Sequence, residues 1–364
     1  MAEKTVTNTA SGSILTASTP VLNTKDFVQY ATEKEIKTLF KTENLCTFAE
    51  IKIATNADKK GEAFKQGMQL YETLFPNKDE RESTKDITDR LKKDDGTYHV
   101  LIAVDKGEKN VIGYNAFSTV PLADKKVMVY WQYGGVADNK YMQKRARPDD
   151  NFRRQGIGTD FYVIRHGLAA QDAQKMGHKN GVVGTILEAE FPGQGETASD
   201  IAYTASRLDI HNKNGAKIML AKMADGSLMS LHMQPKLDED SNPLMLLMLF
   251  RPLNYTDQEA KTTTTMDKKT ARSIIMSWIG NFDKEEFDPK DVDYARQILK
   301  TRLDKAVEIL LVPPSEVPTM TEMAKSDPVL REQIIRDYGS FEAHEKLVNE
   351  TFASGVKPER VLGE

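Results

Sequence analysis

Apolar and polar residues alternate from Thr47 to Thr55 (TFAEIKIAT), the two-residue period of a strand. The period then lengthens. Between Glu62 and Phe75, the residues Phe64, Met68, Tyr71 and Phe75 share one helical stripe, and Pro76 stops it. Ser83 to Lys93 predicts a shorter helix, with Ser83 as its cap and Asp86 three residues on. Three apolar runs follow: Tyr98 to Val104, Val111 to Val120 and Val127 to Tyr133. Such runs predict strands covered on both faces, and the short polar turns between them predict antiparallel hairpins. The pair Gly134-Gly135 after the third run predicts a bulge or a close backbone approach.

The next helix opens in NFRRQGIGTDFYVI, from Asn151 to Ile164. Ile157, Phe161, Ile164 and Leu168 make its stripe, and Gly177 ends it. Gly181 to Phe191 (GVVGTILEAEF) predicts a strand, and Ser199 to Asn214 a helix closed by Gly215. Lys217 to Met223 and Leu244 to Leu253 are expected to be the last two strands. Past Thr256, strand patterns vanish. Leu299, Leu303, Ala306 and Leu310 form a helical stripe that Pro313-Pro314 ends. The expected organisation is a flexible polar arm over 1–25, a mixed α/β unit over 26–255 and a helical extension over 256–364.

Composition narrows the function classes. With 364 residues, 39% hydrophobic, 29% charged and a formal net charge of -4, no global field draws the chain to nucleic acid or to a membrane surface. Cys46 is the only cysteine, so a zinc site built on several cysteines is excluded. The six histidines lack close ligand spacing, and no metal is expected. The first residues have short apolar runs broken by Ser and Thr and carry no Arg, so the expected location is the cytoplasm.

The glycines of NFRRQGIGT have a physical use. Amides at a helix N-terminus lack partners inside the helix, and the helix dipole favours negative charge there. Gly156 and Gly158 let a ligand approach the backbone, and Arg153 and Arg154 add charge for phosphate oxygens. On this stretch alone, a plain turn before a helix is the alternative. A P-loop pattern is absent, a Rossmann fingerprint lacks its third glycine, and neither HRD nor DFG of the kinases appears.

Arg153-Arg154-Gln155-Gly156-Ile157-Gly158 resembles the (Gln/Arg)-x-x-Gly-x-(Gly/Ala) signature of the GNAT superfamily of N-acetyltransferases. The order of strand, bulge, turn, helix, strand, helix and strands is similar too. LEAEF followed by RLDIHNKNGAK resembles that family's acidic strand and the helix after it. The likeness spans roughly 45–253. It implies an α+β fold with a central mixed sheet flanked by helices, here with a C-terminal helical extension. It implies acetyl-CoA as co-substrate, its pyrophosphate on the amides of Arg154, Gln155, Gly156, Ile157, Gly158 and Thr159. The pantetheine arm would lie near Gly135 and Val136, with a backbone N–H there polarising the thioester. About ten extra residues, DNKYMQKRAR, separate that strand from the turn.

Acyl transfer to an amine needs a base for the ammonium and benefits from an acid for the thiolate. Glu188 and Glu190, two apart on one predicted strand, share a face and are the base candidates; a solvated strand end is the alternative for each. The family's usual acid is a Tyr, and its position falls here on His211, which either donates or merely packs. Tyr203 and Tyr133 are reserve donors, and Thr204 stands where the family often has Asn. The expected function is transfer of an acetyl group to a primary amine of a small molecule or peptide. A GNAT-fold module that binds coenzyme A or a protein without turnover is the alternative. The helical extension is expected to cover the acceptor site or to form a contact between copies of the chain.

Overall fold

A computed structural model gives the structure of the protein. It describes residues 21–22, 49–54, 61–76, 81–93, 96–106, 110–137, 141, 152, 156–179, 181–213, 215–236, 242–253, 263–284 and 287–355.

One sheet of 11 strands organises the chain. The strands are β1 (Val21–Leu22), β2 (Ala49–Ala54), β3 (Tyr98–Asp105), β4 (Val111–Pro121), β5 (Val127–Val136), β6 (Val182–Ala189), β7 (Lys217–Lys222), β8 (Leu228–Ser230), β9 (Leu247–Pro252), β10 (Thr265–Met266) and β11 (Glu308–Val312). They lie in the order β1-β2-β3-β4-β5-β6-β9-β7-β11-β10, with β8 paired to β7. Every described pairing is antiparallel except β5 with β6.

The helices α1 (Glu62–Leu74) and α2 (Thr84–Lys93) cover one face of the first half of the sheet. Their apolar stripes explain this: Phe64, Met68, Tyr71, Ile87 and Leu91 are buried in one cluster with Ile102 and Tyr114. Ser83 and Asp86 cap α2 reciprocally, as the sequence predicts. On the other face lies α3 (Ile157–Lys175). Its expected stripe is buried, but so are Asp160, Arg165, His166 and Asp172, because the helix is enclosed on more than one side. Asp172 Oδ2 lies 2.7 Å from His99 Nε2 and accepts from Thr119 Oγ1 at 2.7 Å, tying α3 to β3 and β4.

The remaining helices are α4 (Ala198–Lys213), α5 (Lys268–Ile279), α6 (Pro289–Lys305), α7 (Met320–Ala324), α8 (Pro328–Tyr338) and α9 (Phe341–Ser354). The stretch after Thr256 is mainly helical, but it is not free of strands. Helix α6 ends at Lys305, so Ala306 caps it and Leu310 falls on β11, pairing with Leu220 of β7. The supposed helical stripe mixed two elements: Leu299 and Leu303 are buried from the helix, while Ile309 and Leu311 are buried by strand alternation. β7 and β9 are therefore not the last strands. Within the expected polar arm, Val21 and Leu22 pair with Ile51 and Lys52.

The core divides at β5. Val127 and Val129 join the cluster under α3, whereas Met128 and Tyr130, on the opposite face, join the cluster of β6, β7, β9 and the C-terminal helices. That seam is where the sheet opens.

Candidate active site

β5 stays paired with β4 as far as Val136, opposite Gly113. Its parallel pairing with β6 stops earlier, at Trp131 opposite Leu187. Between them a wedge opens, lined on one side by the Gln132–Val136 edge. An extra residue in β5 produces the divergence. Trp131 faces Phe117 and Tyr133 faces Ala116, so Gln132 is the bulged residue. The bulge thus lies two residues before the Gly134-Gly135 pair that the sequence suggested. Those glycines serve the close approach instead. A Cβ on Gly134 would stand 2.5 Å from Trp131 Nε1 and 2.6 Å from Asn115 Nδ2, and one on Gly135 2.6 Å from Leu74 Cδ1. The indole folds over the bulge and donates from Nε1 to the Tyr133 carbonyl at 2.9 Å. Tyr162 packs edge-on against it at 5.2 Å, and the Arg165 guanidinium lies 4.5 Å from its ring.

The glycine turn sits at the mouth of this wedge. Gly156 has φ 92 and caps α3 with no side-chain bond, a left-handed conformation that favours glycine. Gly158 is exposed, and a Cβ there would meet nothing within 4 Å. Ile157 points inward: it and Phe161 come within 3.1 Å of where a Cβ on Gly113 would be. Gly113 therefore lets the first turn of α3 settle beside the end of β5, since it also pairs with Val136. Amides of such a turn have no acceptor within the helix, so the open face at Gly156, Gly158 and half-buried Thr159 suits an anion. Arg153, Arg154 and Gln155 lie outside the described residues.

Glu188 stands near the other end, on the opposite face of the sheet. Its Oε1 accepts from the Tyr130 hydroxyl at 3.0 Å, and His232 Nε2 lies 3.1 Å from the same oxygen. His232 Nδ1 accepts from the Leu246 amide at 2.9 Å. Trp278 of α5 packs on the His232 ring at 4.9 Å and edge-on to Tyr130 at 6.3 Å. Glu190 does not share this setting. β6 ends at Ala189, and Glu190, the next residue, pairs with Arg207 of α4. The two glutamates thus have separate partners. Tyr130, His232 and Trp278 escaped the sequence reading, since no spacing links residues so far apart in the chain.

A parallel pair that splays at a bulge, followed by a glycine turn and a helix across one face, set in an otherwise antiparallel sheet, is the order the resemblance implies. The fold is GNAT-like. No family model and no curated protein matches the sequence. Among solved structures, a Bacteroides thetaiotaomicron protein assigned to the GNAT acetyltransferases is similar at 13% identity and a TM-score of 0.35, over 62% of this chain and 97% of its own. A GNAT-family acetyltransferase from Streptococcus pneumoniae has 10% identity and a TM-score of 0.30, over 56% and 99%. A Salmonella typhimurium acetyltransferase that modifies the N-terminal serine of ribosomal protein L7/L12 has 12% identity and a TM-score of 0.32, over 57% and 96%. The sheet order and the wedge, rather than these superpositions, carry the description of the fold.

In this GNAT-like frame the acid candidates fare differently from expectation. His211 lies edge-on to Trp131 at 6.3 Å, near the wedge. Burial, and then Arg207, push its pKa down to about 4, so the ring is uncharged at neutral pH. Its Nδ1 is buried without a hydrogen-bond partner among the described residues. The Tyr133 hydroxyl accepts from the Glu82 amide at 3.1 Å, and burial raises its pKa well above the usual phenol value. Tyr203 is exposed beside Arg207. Thr204 Oγ1 donates to the Ile201 and Gln194 carbonyls, a structural task. Among the described residues no group of His, Cys, Asp and Glu could hold a metal, and no helix is long and apolar enough to cross a membrane.

Proposed function

We propose that the protein is an N-acetyltransferase that moves an acetyl group from acetyl-CoA to a primary amine of a small molecule or peptide. The observation that carries this reading is the wedge between β5 and β6, with an anion-suited helix terminus at its mouth and Glu188 across the sheet. The pyrophosphate lies on the turn that includes Gly156 to Thr159, with Arg153 to Gln155 completing it. The pantetheine arm follows the free edge of β5 past Gly135 and Val136. Glu188 takes a proton from the acceptor ammonium, the amine attacks the thioester carbon, and the carbon–sulfur bond breaks as the second proton of the attacking nitrogen passes to the departing thiolate, giving the amide and the free thiol. Glu190 is the weaker candidate for base because it faces the Arg207 cation, and taking a proton would give up that ion pair.

Calorimetry with acetyl-CoA, followed by thiol release over a panel of primary amines, tests this. Binding with turnover is the expected result; absence of binding would remove the reading. Binding without turnover would favour a non-catalytic coenzyme A module. The observation behind that second reading is the uncharged His211, which supplies no cationic acid for the thiolate.

A further inference from the structure

Glu188 meets Tyr130 from the neighbouring strand β5 and His232 from outside the splayed pair. His232 is fully buried, and its Nδ1 accepts a backbone N–H, which puts the ring proton on Nε2. Nε2 lies 3.1 Å from Glu188 Oε1, off the ideal line of a hydrogen bond, and no other acceptor reaches it among the described residues. We propose that His232 is a positioning residue for Glu188 and that the C-terminal helices act on the reaction through it. This rests on Glu188 being the base.

Both ends of the segment that carries His232 are tied to those helices. Arg302 of α6 donates to the Ser230 carbonyl at 2.7 Å and pairs with Asp327, the N-cap of α8. Gln333 of α8 accepts from the Met245 amide at 2.7 Å and donates to the Met245 carbonyl at 3.3 Å. Ser230 Oγ then donates to the Leu246 carbonyl at 2.6 Å and accepts from the His232 amide at 3.2 Å. Leu246 in turn supplies the N–H that sets the imidazole tautomer. Trp278 closes the ring from α5.

The chemical consequence is a division of labour between the two carboxylate oxygens. Tyr130 and His232 both address Oε1. Oε2 is left to receive the proton: the ammonium gives one proton to Oε2, yielding a neutral amine and a carboxylic acid. Fixing Oε1 fixes the direction of that transfer, which matters because small misplacements of a reacting group are costly.

The test uses the full-length protein. Nitrogen-15 NMR of the imidazole should show Nδ1 unprotonated and Nε2 protonated, with the signal lost in His232→Phe. Glu188→Gln should move the Nε2 resonance. In thiol release from acetyl-CoA with primary amines, folded His232→Phe should lower kcat about tenfold with an unchanged KM for acetyl-CoA and a displaced acid limb of the pH profile. His232→Gln, which keeps an N–H near the Nε2 position, should recover most of it. A proton on Nδ1, or an Nε2 resonance indifferent to Glu188→Gln, would overturn the proposal, as would an unaltered pH profile in folded His232→Phe. Should the wild-type protein release no thiol with any amine, the acetyltransferase reading fails, and with it the catalytic meaning of His232, while the two NMR results still report whether it holds Glu188.

Discussion

The mouth of the wedge and its far side are built in opposite ways. At the mouth, a few consecutive residues around Gly156 offer backbone groups on an exposed turn, and Gly113 beneath Ile157 lets that turn settle on the sheet. On the far side, Glu188 meets Tyr130 and His232, and Trp278 of α5 packs on both of those rings, so the setting is drawn from three other segments beneath the C-terminal helices. A backbone anion seat can be local because the helix terminus supplies the donors. A half-buried carboxylate cannot, because the groups that hydrogen-bond it must converge from several directions.

The comparison breaks most readily at the far side. Arg302 and Asp327 form a buried ion pair, so Arg302→Ala leaves a buried carboxylate uncompensated and should cost about 3–5 kcal/mol of folding stability. Urea denaturation would measure it, and a cost near zero would show that the C-terminal helices do not hold this region. Next in size, Glu188→Gln should lower the rate about a hundredfold and reshape its pH profile, leaving acetyl-CoA affinity intact. A profile that keeps its shape would shift the role to Glu190 or to water.

At the mouth, Gly156→Pro forbids the positive φ and should weaken acetyl-CoA binding about tenfold, read by calorimetry, with little effect on the Glu188 cluster. Unchanged affinity in the folded variant would remove the pyrophosphate assignment. The smallest effect belongs to His211. Its folded pKa, about 4, lies below the ordinary 6.5, so the unfolded chain binds more protons as the pH falls. Its stabilising contribution is present above pH 6.5 and is lost as the pH drops through about 4. His211→Phe should therefore flatten the loss of stability across that window, measured as denaturation midpoints at several pH values. His166, whose pKa burial lowers as well, keeps part of the slope in both proteins.

Much of this was legible in the chain. The three apolar runs, the α1 stripe, the Ser83 cap and the glycine turn all depend on neighbours within a few positions, where sterics and periodicity act. Other features were not. The bulge sits on Gln132, a residue with no turn chemistry, and only the pairing of β5 with β4 reveals it. Leu310 was misplaced because an apolar residue seven after Leu303 satisfies a helical stripe and also fits a strand. The different partners of Glu188 and Glu190 could not be read from their spacing, because Arg207 and His232 come from other segments. His232 carried no signal: one histidine between two short strands has no spacing to read.

The sequence by itself determined most of the elements, the glycine turn and the residue types on which the proposed acyl transfer draws. Those follow from φ preferences, side-chain periods and donor chemistry, which are properties of short stretches. Only the tertiary structure decided where the sheet opens, that β10 and β11 return to it, and that Glu188 rather than Glu190 is gripped by Tyr130 and His232. Each of those outcomes depends on which distant segments become neighbours. Burial then turns that proximity into energy, because a polar group removed from water must find its partner in the fold.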